Sequence, residues 1–320
     1  MFPDIEFVVD HLRQIKQQAG NRYTPELNVE LPISEIFDGL SRTEKFYHQI
    51  RKNYGDLTRE FKHISNTYKN EESGAIYEMI YNNISILFSL LDNIKIYNTD
   101  IIPWDNINTI TNKLEDNIWE LVDHLRDDKE NLKKDNNGKN RENTDPYFKR
   151  LEHDIHYLYK TRSIIQDFNE LACSVKAKVS NKPYLFIHGA AGTGKTHLLC
   201  DLVEQRNRHS LNALIVFGEY FNNEEYFWKQ LLCQLKIDDL NISDFLSTIN
   251  QIGKKEKSRF VLIIDALNEN YAHAPKFWKK NINSIVTKLS KYPNIALIIS
   301  LRSGFEYEVF NSKQLDLFID

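Results

Sequence analysis

A chain of 320 residues with 41% hydrophobic residues is long enough for about two domains with packed cores. Its formal net charge of -4 removes any global case for attraction to nucleic acid or to an anionic lipid surface. Asp4 and Glu6 interrupt any signal-peptide core, and the most apolar stretch, 84–91, is far shorter than the roughly 20 residues of a membrane helix, so a cytoplasmic protein that avoids membranes is expected. Cys173, Cys200 and Cys233 are odd in number and far apart, and read as reduced, buried thiols.

Residues 1–20 predict a short amphipathic helix through Ile5, Phe7, Val8, Leu12 and Ile15 that stops at Gly20, and 21–32 (NRYTPELNVELP) predict an extended connector. Ser41 and Glu44 have the spacing of a capping box, which puts a helix start at Ser41. From there to about residue 178 the pattern is helical. Ile76, Ile80, Ile84, Leu87, Leu91 and Ile94 form one stripe, and Ile107, Ile110, Leu114, Ile118, Leu121 and Leu125 another, as the core of a helical bundle requires. The polar stretch 127–143 predicts a solvated helix end followed by a mobile loop. Asp145 caps a new helix with Pro146 at its first position, running through Val175 into the connector SNKP.

The organising stretch is 183–196, PYLFIHGAAGTGKT: an apolar run, a glycine-rich turn and a helix start. Gly189, Gly194, Lys195 and Thr196 stand at the G-x-x-x-x-G-K-[ST] spacing of a phosphate-binding loop. Residues with little or no side chain let backbone N–H groups close on phosphate oxygens, and the following helix presents its positive end to them. The expected nucleotide contacts are Gly189, Ala190, Ala191, Gly192, Thr193, Gly194, Lys195, Thr196 and His197, with Lys195 over the terminal phosphates and Thr196 on Mg²⁺. His188 and His197 lack metal-ligand spacing and read as packing or hydrogen-bonding residues.

Further strands are predicted at 213–217, at the run ending in Asp265, at 295–302 and at 314–319. Helices are predicted in EEYFWKQLLCQL, in NISDFLSTINQIG with Gly253 as its stop, and from Pro275. The alternation implies an α/β fold with a five-stranded parallel sheet flanked by helices, preceded by the all-α bundle. Asp265, carried out of a buried strand at its C-terminal edge, is the second candidate Mg²⁺ support, and a helix-capping Asp is its alternative. Glu269 is the candidate to orient or deprotonate the attacking water, against a solvated loop residue. Arg302 would face the γ-phosphate if its strand lies beside the first, against a structural salt bridge. The domains read as 1–40 (helix and connector), 41–178 (bundle) and 179–320 (nucleotide-binding core).

The segments GAAGTGKTHLL, LIIDALNE and ISLR resemble, in that order, the phosphate loop, acidic strand and arginine sensor of STAND-class P-loop NTPases, most closely bacterial antiviral proteins with a NACHT-like core. The stretch NRYTPELNVELP is similar to one in that group. The resemblance implies that the arginine-sensor strand is inserted between the phosphate-loop and acidic strands. It also implies a slow or regulated ATPase with ATP or ADP and Mg²⁺, monomeric with ADP and assembled into a homo-oligomer with ATP once a foreign phage protein is recognised. Asn268 stands where D-G-h-D-E has an acid, which weakens the case for hydrolysis more than the case for binding. The lid, winged helix and sensor repeats that the resemblance implies do not fit after Arg302, so a truncated switch with weakened nucleotide binding and no response to a trigger is expected. Two other readings remain. One is an AAA+ DNA-replication ATPase or helicase loader, which would place its second acid where Ala266 stands; the other is a non-hydrolysing nucleotide-binding scaffold.

Overall fold

A computed structural model describes residues 5–23, 33–95, 97–135, 145–221, 225–269 and 274–320. In chain order, helices α1 (Ile5–Ala19), α2 (Ile33–Ser41), α3 (Glu44–Phe61), α4 (Glu71–Asp92), α5 (Trp104–Asp135), α6 (Pro146–Cys173) and α7 (Val175–Asn181) precede β1 (Tyr184–Gly189). Then come α8 (Lys195–Arg208), β2 (Ala213–Phe217), α9 (Phe227–Gln234), α10 (Ile242–Glu256), β3 (Phe260–Asp265), α11 (Ala274–Leu289), β4 (Ile295–Arg302), α12 (Glu306–Val309) and α13 (Ser312–Leu315). The chain forms two compact units, one of residues 45–96 and 101–177, the other of residues 1–44, 97–100 and 178–320. The N-terminal helix expected to stand apart therefore belongs to the unit that carries the sheet. The part of the expected connector at 24–32, and 136–143 of the expected loop, lie outside the described residues; 127–135 are the end of α5.

The helical unit is built from the stripes that its sequence carries. Ile80, Ile84 and Leu87 on α4, and Ile107, Leu114, Ile118, Leu121 and Leu125 on α5, are buried in one core with Leu158, Ile165 and Phe168 of α6. Asp145 caps α6 as its sequence dictates, its Oδ1 accepting the Tyr147 N–H at 2.8 Å with Pro146 at the helix start. The helix breaks at Ser174, and α7 continues to Asn181, so of the expected connector SNKP the first two residues are helix and Lys182 and Pro183 lead into β1.

In the other unit, β1 to β4 form a parallel four-stranded sheet in the order β1-β4-β3-β2, with β4, which ends in Arg302, lying between β1 and β3, which ends in Asp265. Side chains alternate across it. Phe260, Leu262 and Ile264 of β3, with Leu297, Ile299 and Leu301 of β4, enter a core shared with α9, α10 and α11. Val261, Ile263 and Asp265, with Ala296, Ile298, Ser300 and Arg302, point to the opposite face, where α8 packs against β1, β2 and β3. The alternation thereby puts Asp265, Ser300 and Arg302 on the face of the glycine-rich loop.

Several expectations give way to tertiary contacts. Ser41 ends α2 rather than starting a helix: Arg42 takes a left-handed φ of 50°, and its guanidinium donates to Ser180 O at 2.8 Å. Gly253 does not stop α10, which runs on to Glu256; a Cβ there would meet Asn294 O at 2.5 Å and Phe260 N at 2.8 Å, so glycine is needed for close packing. The fifth strand expected at 314–319 is a short helix followed by one bridge, Leu185 to Ile319, because buried Gln314 donates to Lys279 O at 2.8 Å and completes a capping box with Asn311. Cys173 and Cys233 are exposed rather than buried, lying on outward turns of their helices. Cys200 is buried, which pushes its thiol pKa up to about 12. No helix among the described residues is long and apolar enough to cross a membrane.

Candidate functional site

Residues 191–197 line a cavity of about 460 Å³ with Asp265, Asn268, Glu269, Ser300 and Arg302. Gly189 and Ala190 are outside its lining but shape the loop, since Lys195 Nζ donates to their carbonyls at 2.7 and 2.9 Å. Gly194 caps α8 in the left-handed region at φ 83°, where a side chain would be strained. The first turn of α8 leaves N–H groups without helical partners, as an anion site requires. Burial lowers the Lys195 pKa, opposed by the charges of Asp265 and Glu269 and assisted by Arg302.

Asp265 ends β3 fully buried. Its Oδ1 accepts the Ser300 hydroxyl, whose oxygen in turn accepts the Ala266 N–H at 2.9 Å. Burial raises its pKa above the ordinary carboxylate range, outweighing the bond from Ser300 and the approach of Thr196. Thr196 favours the charged form without a well-formed bond to Oδ2, which has no hydrogen-bond partner. A buried carboxylate oxygen left open beside a threonine hydroxyl fits a hard divalent cation. Among the described residues no group of three His, Cys, Asp or Glu could hold a metal, so Mg²⁺ would take its remaining oxygens from water or phosphate. There the cation would supply charge neutralisation to a bound phosphate.

The turn after β3 folds back on β4. Ala266 adopts φ 58°, Leu267 N–H donates to Ser300 O at 3.0 Å, and Asn268 Oδ1 accepts the Arg302 N–H at 3.0 Å. Asn268 is therefore a buried backbone clamp. Arg302 pairs with Gly189 across the β1–β4 register, and its guanidinium carbon lies 6.0 Å from the Phe305 ring centre. His188 contacts Glu306 at 3.0 Å and Asp320 at 3.2 Å, away from the loop, whereas the His197 ring lies 5.2 Å from that of Tyr23.

Asn21 and Arg22 also line the cavity, and neither stood among the expected site residues. Arg22 Nη1 donates to Glu269 Oε2 at 2.6 Å, so the candidate base is ion-paired rather than freely solvated. Tyr23 donates to Glu204 on α8, and Lys16 lies 3.7 Å from the same carboxylate. Ser300 had a readable signal, a lone hydroxyl in an apolar strand two residues before Arg302. Arg22 had only its place in NRYTPELNVELP. No protein-family model, curated protein or solved structure matches the chain.

Proposed function

We propose that the sheet unit is a P-loop NTPase core that binds ATP or ADP with Mg²⁺ and hydrolyses ATP slowly. We further propose that the chain is the nucleotide-operated core of a cytoplasmic STAND-type antiphage switch. The observation that carries the reading is the buried Asp265, its Oδ2 open on the face of the sheet where Lys195, Thr196 and Arg302 converge around one cavity. In this reading the loop N–H groups and Lys195 hold the β- and γ-phosphates, and Thr196 and Asp265 hold the cation. Glu269 orients or accepts a proton from the attacking water, and Arg302, at the end of the strand beside β1, responds to the γ-phosphate. ATP-dependent homo-oligomerisation after recognition of a phage protein is the regulatory half of the proposal, supported by the motif resemblance.

The experiment is titration of labelled ATP and ADP with Mg²⁺ into the chain and into Lys195→Ala, with turnover and particle size measured on the same samples. The unsubstituted chain is expected to bind both nucleotides and Lys195→Ala to lose binding, and enlargement with ATP but not with ADP would favour the switch over the scaffold. Equal affinity in the two proteins refutes the phosphate-loop assignment. Binding without turnover would favour the non-hydrolysing scaffold, a reading that the use of Asn268 as a backbone clamp also supports.

A further inference from the structure

Arg22 lies 247 residues before Glu269 in sequence, yet its Nη1 meets the Glu269 carboxylate at 2.6 Å. It stands at the end of a 3-10 turn, Gly20–Arg22, directly after α1. Its Nε donates to Ala19 O at 3.2 Å and Nη2 to Gln18 O at 3.1 Å, so the guanidinium is fixed by carbonyls of its own segment. Nη2 also reaches Glu219 at 3.3 Å, and the guanidinium carbon lies 5.7 Å from the Phe217 ring centre. The segment is itself anchored, with Ile15, Ala19 and Tyr23 buried.

Glu269 taken alone is a half-buried side chain on a turn, and its long, rotamer-rich chain needs a partner to be held in one geometry. Arg22 holds Oε2, while among the described residues Oε1 accepts no hydrogen bond. The same guanidinium ties Glu219, after β2, to Glu269, after β3, and these are adjacent parallel strands. Two carboxylates on one guanidinium more than offset its charge, which argues against Arg22 as a phosphate ligand. Burial alone would lower its pKa, but the bonds and charges of Glu269 and Glu219 raise it, so it stays charged. A half-exposed pair adds little stability, so its consequence lies in geometry.

We propose that Arg22 is a positioning residue for ATP hydrolysis: it fixes Glu269 by one carboxylate oxygen and leaves the other to face the attacking water. The inference rests on the ATPase reading above, and it makes Arg22, at the end of the segment 5–23, part of the reaction site.

The test is a double-mutant cycle on the full chain, reading ATP turnover and nucleotide affinity separately. Arg22→Ala is expected to lower kcat about 10-fold, as a misplaced catalytic group does, with ATP affinity changed less than about threefold. Arg22→Lys, which keeps the charge but not the two-pronged geometry, should fall by less. In a Glu269→Gln background Arg22→Ala should cause no further loss, because the group it positions is already disabled. Additive losses, a rise in kcat, or a fall in affinity that accounts for the whole effect would each overturn the proposal. If Arg22→Ala also loosens α1, the Lys variant and the coupling in the cycle still decide. Absence of turnover in the unsubstituted chain removes the hydrolytic reading and this inference together. Turnover that needs Lys195 but ignores Arg22 removes the inference alone.

Discussion

Ser300 shows how one hydroxyl governs the candidate cation site. It donates to Asp265 and accepts from Ala266 N–H, which joins the acidic strand to the left-handed turn behind it. Ser300→Ala strands a buried carboxylate oxygen and a buried N–H, so it is expected to cost about 1–3 kcal/mol in denaturant unfolding. It also removes a bond that favours the charged form, so the Asp265 pKa, already raised by burial, rises further. A protonated carboxyl cannot hold a cation. Mg²⁺-dependent ATP affinity should therefore decline as pH falls, and in Ser300→Ala the decline should begin at higher pH. Superimposable pH profiles for the two proteins would show that Ser300 does not act through Asp265. At this scale Asp265 and Arg302 were legible because a charged residue closing an apolar strand must leave the core at the edge where ligands bind. Ser300 showed only as a lone hydroxyl in an apolar strand, its role being set by strand register, and Arg22 was not legible because its role depends on a contact across most of the chain.

At the scale of elements, α1 is joined to the sheet by a titratable group. β2 is an edge strand, and its outward N–H groups need partners. His11 Nε2 accepts the Ile215 N–H at 3.1 Å, and Gln234 Oε1 accepts that of Phe217 at 3.3 Å. Burial lowers the His11 pKa to about 4, and the small cavity beside it, lined by Phe7, Asn207, Asn212 and Phe260, offers no acid to stabilise a charged ring. The folded state thus binds this proton less well than the unfolded chain. The stability concerned is fully present above the ordinary histidine pKa of about 6.5 and is lost as pH falls towards 4, by roughly 3 kcal/mol in all. The protection of the Ile215 amide, its exchange measured against an unstructured chain at the same pH, should fall across that window, and His11→Gln, which keeps an acceptor but does not titrate there, should flatten the response. Unchanged protection in the unsubstituted chain would mean that α1 does not depend on this contact. Elements with strong periodicity, such as α4 and α5, could be read directly. Ends could not: Ser41, Gly253 and 314–319 each carried a valid local signal that a close backbone approach or a buried side-chain bond overruled.

The whole chain folds a contiguous helical unit, apart from residues 97–100, and a discontinuous sheet unit that joins residues 1–44 to 178–320. That discontinuity was invisible in the sequence, because Ile15, Ala19 and His11 look like any amphipathic helix until the edge of β2 is known. It has a thermodynamic consequence if the site binds nucleotide. A ligand that binds only the folded unit stabilises all of it by mass action, about 2.7 kcal/mol at a hundredfold excess over Kd. Protection should therefore be shared by segments far apart in sequence, with α1 and Tyr23 gaining it alongside α8, β3 and β4. Tyr23 contacts both His197 and Glu204 on α8, which gives that coupling a path. Hydrogen exchange with and without Mg²⁺-ATP, at concentrations that saturate the unsubstituted chain, measures this directly. Lys195→Ala supplies the control in which no segment should change. If 184–302 gain protection while 5–23 do not, the N-terminal helix is a passenger on the sheet unit and not part of its cooperative fold.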